Sequence, residues 1–344
     1  MIIHSAALLT AAWLGSAPVQ AQLEGAGGSG SGAGGNGFSL RNWSLQLRAY
    51  GGYDSNVLLV PDRSPDFDPR GKSDSAYLGL SASGSVHWLV GRGTTLGLTA
   101  RADRVQYLGH QPNLPNLTEA DDPTEYSLTV LEGSVFLRRD FGPRGRRGAF
   151  TFAYSFHHED AKIEAIGLDG HTISASLDAP LNRRTTLRGR ASYSWNNYYV
   201  DFRPIAARDR DGQFLALDLG VTHRITPRQT LSLGAGYVRN DAGADWDYRG
   251  WRANAGFTTH VAGPVYARAD ASYTHSRFRG GFTDLVPAPG RTRENLFSWG
   301  LSAAWYLRPN LLLDLGYRSQ NWTANLPQFE GDRRRVSAGI SWTM

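Results

Sequence analysis

His157, His158, Glu159 and Asp160 stand side by side in the chain, and imidazole beside carboxylate is the chemistry of a transition-metal site. Successive side chains of an extended segment point to opposite faces, so one strand cannot chelate through both histidines. A solvated loop edge is the plainer reading. Asp62, Asp66 and Asp68, with Asp121 and Asp122, offer oxygen ligands for calcium, but they lack the spacing of an EF-hand loop and read as surface acidity. A Ser-His-Asp set can be assembled from any chain with nine histidines. Nothing here places a serine on a nucleophile elbow. The reading is therefore of a protein that is not an enzyme, with no catalytic residue, no metal and no cofactor.

A second set of charged residues has a more telling spacing. Arg188 and Arg190 alternate with Leu187, Gly189, Ala191, Tyr193 and Trp195. Arg268 and Asp270 alternate with Ala267, Ala269, Ala271 and Tyr273, and Asp314 and Arg318 with Leu311, Leu313, Leu315 and Tyr317. Period-two alternation gives a strand one apolar and one polar face. The polar face so defined also takes in Gln46, Arg48, Asp218, Arg224 and Arg335, with small residues such as Gly220, Ser232, Gly234, Gly236, Ser272, Ser298 and Gly300. Mixed charge with an arginine excess suits a water-filled lumen that favours anions. Arginine–aspartate pairs that merely brace an interior fit the same pattern, and alternation alone does not separate the two.

The elements that carry these residues run from Trp43 to the C-terminus. Segments of about 11–15 residues recur, longer than the common soluble strand and long enough to cross a bilayer at a tilt. The reading gives fourteen: 42–57, 75–89, 94–108, 125–139, 148–160, 170–180, 185–199, 213–225, 230–242, 251–261, 265–278, 296–307, 311–324 and 333–343. Short turns near 90–93, 142–147, 181–184, 226–229, 262–264 and 308–310 alternate with long polar connections near 58–74, 109–124, 161–169, 200–212, 243–250, 279–294 and 325–332. Outer-membrane barrels have short periplasmic turns and longer outer loops. Trp43, Trp88, Trp305 and Trp342 then fall at the turn end of their strands. Tyr53, Tyr126, Tyr193, Trp195, Tyr237, Trp251, Tyr273 and Tyr317 fall at the loop end. Two aromatic girdles of this kind mark the boundaries of a membrane. Trp246 and Phe282 fall near loop tips. In strands three and four the apolar face switches, Leu96, Leu98 and Ala100 giving way to Val105 and Tyr107, which predicts a bulge or register change. The fold expected is all-β: a transmembrane antiparallel up-and-down β-barrel of about fourteen strands over 42–344, with both termini on the periplasmic side.

Composition agrees. The chain has 344 residues, 40 of them glycine and none cysteine, which excludes a disulfide scaffold and a thiolate metal centre. Its negative mean hydropathy is no argument against a barrel, where only alternate residues need be apolar. The net charge of +5 falls on the inward positions and on the turn residues Arg92, Arg146, Arg147, Arg183, Arg184 and Arg228, not on a nucleic-acid motif, so no nucleic acid is expected as partner. At the N-terminus an apolar core over 6–14 precedes Val19 and Ala21, small residues where a signal peptidase reads. Residues 1–21 thus read as a signal peptide, although no Lys or Arg precedes the core, and 22–41 as a glycine-rich flexible linker. The partners expected are outer-membrane lipid and the barrel-assembly machinery, with a lipoprotein, a polysaccharide or small solutes as cargo.

Tyr53-Asp54-Ser55-Asn56-Val57 closes the first strand. Leu315-Gly316-Tyr317-Arg318-Ser319-Gln320-Asn321 and Asp332-Arg333-Arg334-Arg335 flank the last loop. These runs resemble the C-terminal barrel domain of the surface lipoprotein assembly modifiers (Slam) and related outer-membrane porins and exopolysaccharide-operon barrels. The resemblance implies a fourteen-stranded barrel that acts as a channel or as a secretion or translocation pore. The chain departs from that family in carrying a glycine-rich linker where an N-terminal tetratricopeptide-repeat domain would stand. It also ends in Met344 rather than in an aromatic residue. Asp54, Ser55 and Asn56 are equally the residues of a hydrogen-bonding turn. A non-transporting surface protein, an adhesin or envelope scaffold that presents its long loops, is the competing reading.

Overall fold

A computed structural model describes residues 39–57, 74–109, 123–143, 147–161, 167–199, 210–243, 246–280, 292–325 and 330–344. Residues 1–38, expected to hold a signal peptide and most of a linker, lie outside these residues, as do Asp62, Asp66, Asp68, Asp121, Asp122, Arg146, Phe282 and most of the long connections.

Fourteen antiparallel strands, each paired with its neighbours in the sequence, close into one barrel when the last meets the first. They are β1 (Ser39–Asp54), β2 (Ser75–Gly91), β3 (Thr94–Tyr107), β4 (Leu128–Phe141), β5 (Gly148–Ala161), β6 (Leu168–Pro180) and β7 (Thr185–Tyr198). The second half is β8 (Gly212–Thr226), β9 (Gln229–Asp241), β10 (Tyr248–Ala262), β11 (Val265–Phe278), β12 (Arg293–Arg308), β13 (Leu311–Ala324) and β14 (Gly331–Thr343). The expected strand number and topology are those observed. β1 begins at Ser39, inside the stretch read as linker, and ends at Asp54 instead of continuing to Val57. β4 starts at Leu128 rather than 125, because Pro123–Tyr126 form a 3-10 turn.

Two-residue turns join β2 to β3, β8 to β9, β10 to β11 and β12 to β13, each with a register shift in the strand before it. Gly93 and Gly263 sit in these turns at φ 74° and 49°, a conformation that costs glycine nothing and other residues strain.

Alternation sorts the two faces. Leu80, Leu98, Phe152, Leu219, Leu233, Leu301, Leu315 and Ile340 are all exposed on the outside of the barrel, a continuous apolar surface that no water-soluble protein would present. The inside carries the polar partners of the same strands.

The bulge expected in β3 and β4 is absent: β3 pairs β4 in unbroken register from Thr94 to Val105, and β2 from Thr94 to Tyr107 apart from the shift at the turn. The face switch is real but has another cause. Near the loop end Val105 and Tyr107 point inward and are buried with Tyr50, Val57 and Tyr77, while Tyr126 packs against them. Arg104 and Gln106 take the outer face. There the inner face takes valine and tyrosine rings and the outer face arginine and glutamine, so the pattern inverts without a slipped residue. Tyr126 accordingly belongs to this inner cluster rather than to an outer girdle. A second inward cluster, Ala216, Val238, Tyr248 and Phe278 with Phe214, lines β8 to β11 on the far wall. Trp246 is no loop tip either. It is 8% exposed, and its carbonyl accepts a 2.8 Å hydrogen bond from Asn240.

Candidate functional site

The inner wall is built from charged side chains that reach across a strand. Arg252 on β10 binds Asp218 on β8 through Nε at 2.7 Å and Nη2 at 2.5 Å. The β9 residue opposite both is Gly236. Arg318 on β13 reaches Asp270 on β11 at 3.1 Å over Gly300 of β12. Arg48 on β1 reaches Asp314 on β13 at 2.5 Å over Gly339 of β14. A Cβ at Gly339 would lie 2.9 Å from the Asp314 carboxylate and 3.0 Å from Arg48 Nε, and one at Gly236 would collide with Asp218. At Gly236 and Gly339 the missing Cβ leaves the room that the bridge occupies. Sequence reasoning missed Arg252; its parity with Asn254 and Thr258 was the signal that could have found it.

Glycine also beds the inward rings. Tyr50 faces Gly79, Tyr77 faces Gly52 and Phe136 faces Gly97 as direct cross-strand partners, each ring occupying the space a Cβ would take. Rings and salt bridges therefore lie against the wall.

The loop end of β1 is tied down by a denser network. Asp54, fully buried, accepts hydrogen bonds from Arg333 Nε at 2.8 and 3.0 Å, from Arg333 Nη2, and from Arg335 Nε at 2.6 Å. Tyr107 donates to the same carboxylate at 3.3 Å. The Asn56 amide N–H adds a 3.2 Å contact, and its side chain donates to the Asp332 carbonyl at 2.9 Å. Ser55 hydroxyl accepts from Arg334 N at 2.8 Å, while Tyr53 points outward and donates to Asp74. The motif at the end of β1 thus grips the start of β14. Arg335 faces inward, but its side chain is only 15% exposed, covered by this network rather than open to the lumen.

A chain of polar contacts continues from β1 to β5. Arg48 lies over the Tyr50 ring at 4.6 Å, and Tyr50 donates to Asp103 at 2.6 Å. Arg101 pairs with Asp103 at 2.6 Å and Glu132 at 3.8 Å. His157, well inside β5 rather than at a loop edge, bridges Glu132 at 3.2 Å and Glu159 at 2.6 Å. His158 faces outward to Asp169 and Tyr199 at 2.7 and 2.8 Å. Among the described residues no group of three His, Asp or Glu side chains could hold a metal ion.

The wall of β7 and β8 differs. Arg188 pairs with Asp178 at 2.6 Å but keeps 65% of its side chain exposed. Arg190 stands directly opposite Asp218, yet both oxygens of that carboxylate are taken from the other side by Arg252. No side-chain partner for Arg190 or for Arg224 occurs among the described residues, and both are exposed on the inner face. Arg268 is held at 3.6 Å by Asp270, which Arg318 shares. The site residues read from the sequence therefore divide: Arg48, Asp218, Arg268, Asp270, Asp314 and Arg318 brace the wall, and Arg188, Arg190 and Arg224 project from it.

On the outside, Trp43, Trp305 and Trp342 are exposed at the turn end, with Trp88 part-exposed. At the loop end Tyr193 stacks edge-on against Trp195 with centroids 4.9 Å apart, Trp251 lies 5.2 Å from Tyr273, and Trp299 lies 5.1 Å from Tyr317. Tyr237 is the cross-strand partner of Trp251.

The sequence matches no known family and no curated protein. Among solved structures it is similar to the outer membrane channel DcaP of Acinetobacter baumannii, at 12% identity and TM-score 0.48, over 90% of this chain and 98% of that one. It is also similar to a loop-deletion mutant of OmpT, an outer membrane protein of Vibrio cholerae, at 9% identity and TM-score 0.46, over 89% and 99%. Pseudomonas aeruginosa OprD gives 12% identity and TM-score 0.41, over 88% and 95%.

Proposed function

We propose that the chain is an outer-membrane channel that spans the bilayer with its short turns and both ends on the periplasmic side and passes small anionic solutes. The apolar outer face between two aromatic girdles supports the placement. Strand number supports a lumen: eight-stranded barrels are filled by side chains, whereas barrels of about 16–18 strands hold an aqueous channel, and fourteen lies near the latter. The observation that carries the anion preference is Arg190, whose facing carboxylate is already bound by Arg252. Arg188 and Arg224 extend the same positive wall, one above the other along β7 and β8. Clefts lined by one sign of charge concentrate counter-ions.

The Slam resemblance would add a lipoprotein as cargo, and the exopolysaccharide barrels a polysaccharide. It rests on the short runs at the strand ends, where Asp54 and Asn56 are engaged in closing the barrel, so it supports no particular cargo. Planar-bilayer recording tests the channel. The wild type should conduct and show an anion-selective reversal potential in a salt gradient. The variant Arg188→Gln/Arg190→Gln/Arg224→Gln should conduct with that preference lost. No conductance, even after loop deletion, would leave the barrel as a non-transporting surface scaffold.

A further inference from the structure

The outer wall of β9 to β12 carries a row of four arginines that the channel does not use. Arg239, Arg249, Arg277 and Arg293 lie on adjacent strands, each the direct cross-strand partner of the next. All are exposed and share the outward parity of Tyr237, Trp251 and Phe297. Neighbouring strands are about 4.8 Å apart, and like charges set directly opposite one another repel. The wall itself offers little to offset them. Asp241 meets Arg239 at 3.0 Å with both side chains half exposed, and Arg277 makes a 3.4 Å contact to His275. The side chains of Arg249 and Arg293 have no acidic partner among the described residues. Behind the row Val238, Tyr248 and Phe278 are buried on the inner face, so the backbone that sets the arginine spacing is firmly packed.

What lies next along the strands decides the occupant. One step toward the turn end the outward row reads Tyr237, Trp251, His275 and Asn295. The row after it reads Ala235, Ala253, Tyr273 and Phe297, and the next Leu233, Ala255, Ala271 and Trp299. Guanidinium, amphipathic ring and aliphatic surface follow in the order in which a leaflet presents phosphate, interface and acyl chain. Guanidinium groups bind phosphate oxygens in bidentate fashion.

We infer that this patch holds the phosphate headgroups of an anionic membrane lipid, with its acyl chains laid against the apolar rows of β9 to β12. The inference rests on the bilayer placement proposed above and not on conduction. Native mass spectrometry of the full chain, released from detergent with lipid A bearing both phosphates, tests it. Wild type should retain the lipid, and Arg239→Gln/Arg249→Gln/Arg277→Gln/Arg293→Gln should retain it at least about tenfold more weakly. The double variant Arg249→Gln/Arg277→Gln should show a partial loss, which keeps the test open if the fourfold variant does not fold. Equal retention by the variants overturns the site, as does equal retention of lipid A stripped of its phosphates. Displacement by millimolar inorganic phosphate would mark a free-anion site and overturn the lipid assignment. A barrel that retains lipid but passes no current overturns the channel alone; one that conducts with unaltered lipid retention in the variants overturns this inference alone.

Discussion

Asp54 is held by Arg333 and Arg335 at the point where the first strand meets the last. Breaking a buried ion pair by removing one partner leaves uncompensated charge and costs about 3–5 kcal/mol. Asp54→Asn should therefore lower the unfolding free energy, read from urea titration in vesicles, by that order, and Ser55→Ala, which loses one exposed contact, should move it far less. Equal effects would remove Asp54 from the closure of the barrel. A turn at 54–56 was legible from residue types, and the 3.2 Å contact from Asn56 N to Asp54 is that turn. The two arginines were not legible as its partners. They lie 279 and 281 residues away, and no local pattern relates positions so distant. Arg190 teaches the converse. Its parity assigns it to the inner face, but that it is left without a carboxylate depends on Arg252, three strands further round the wall.

At the scale of the strand, inward glycines are the beds on which charges and rings lie. Gly236→Val should place side-chain carbon where the Asp218 carboxylate now sits. The expected cost is about 1–3 kcal/mol, as for overpacking elsewhere, read as a lowered unfolding midpoint. The Arg252–Asp218 bridge should open at the same time, and current noise in bilayer recordings should rise as the freed side chains enter the lumen. Gly91, with open space around the place of a Cβ, is the control: Gly91→Ala should change neither. Alternation places Gly236 and Gly300 among the small residues of the polar face and assigns them no further role. Only register shows that Gly236, Gly300 and Gly339 each sit beneath a salt bridge. The inverted pattern of β3 has a similar lesson. A face switch signals a slipped residue when the polarity of the two sides is constant along a strand. Here the environment changes along β3, so unbroken register and an inverted pattern coexist.

For the whole molecule, one comparison separates outside from inside. Leu301 points outward from the middle of β12 and is 54% exposed, while its neighbour Ser302 faces the lumen. In a bilayer Leu301→Arg should cost about 2–4 kcal/mol, the depth-dependent penalty for a charge on the lipid face, and Ser302→Arg, set opposite Arg268, less than about 1 kcal/mol. Unfolding titrations of both variants in vesicles check this, and the reverse order would refute the assignment of faces. The same alternation that yields this comparison made the strand number and the closed all-β topology readable in advance, because strand period, strand length and turn spacing are local properties of the chain. Strand pairing decided what alternation left open. The pairing of neighbouring strands sets register, and register selects which arginine meets which aspartate, which guanidinium is left on the inner face, and which four arginines line up on the outer wall. The contacts at the seam, Arg48 to Asp314 and Asp54 to Arg333 and Arg335, join residues 266, 279 and 281 apart and exist only once β1 meets β14.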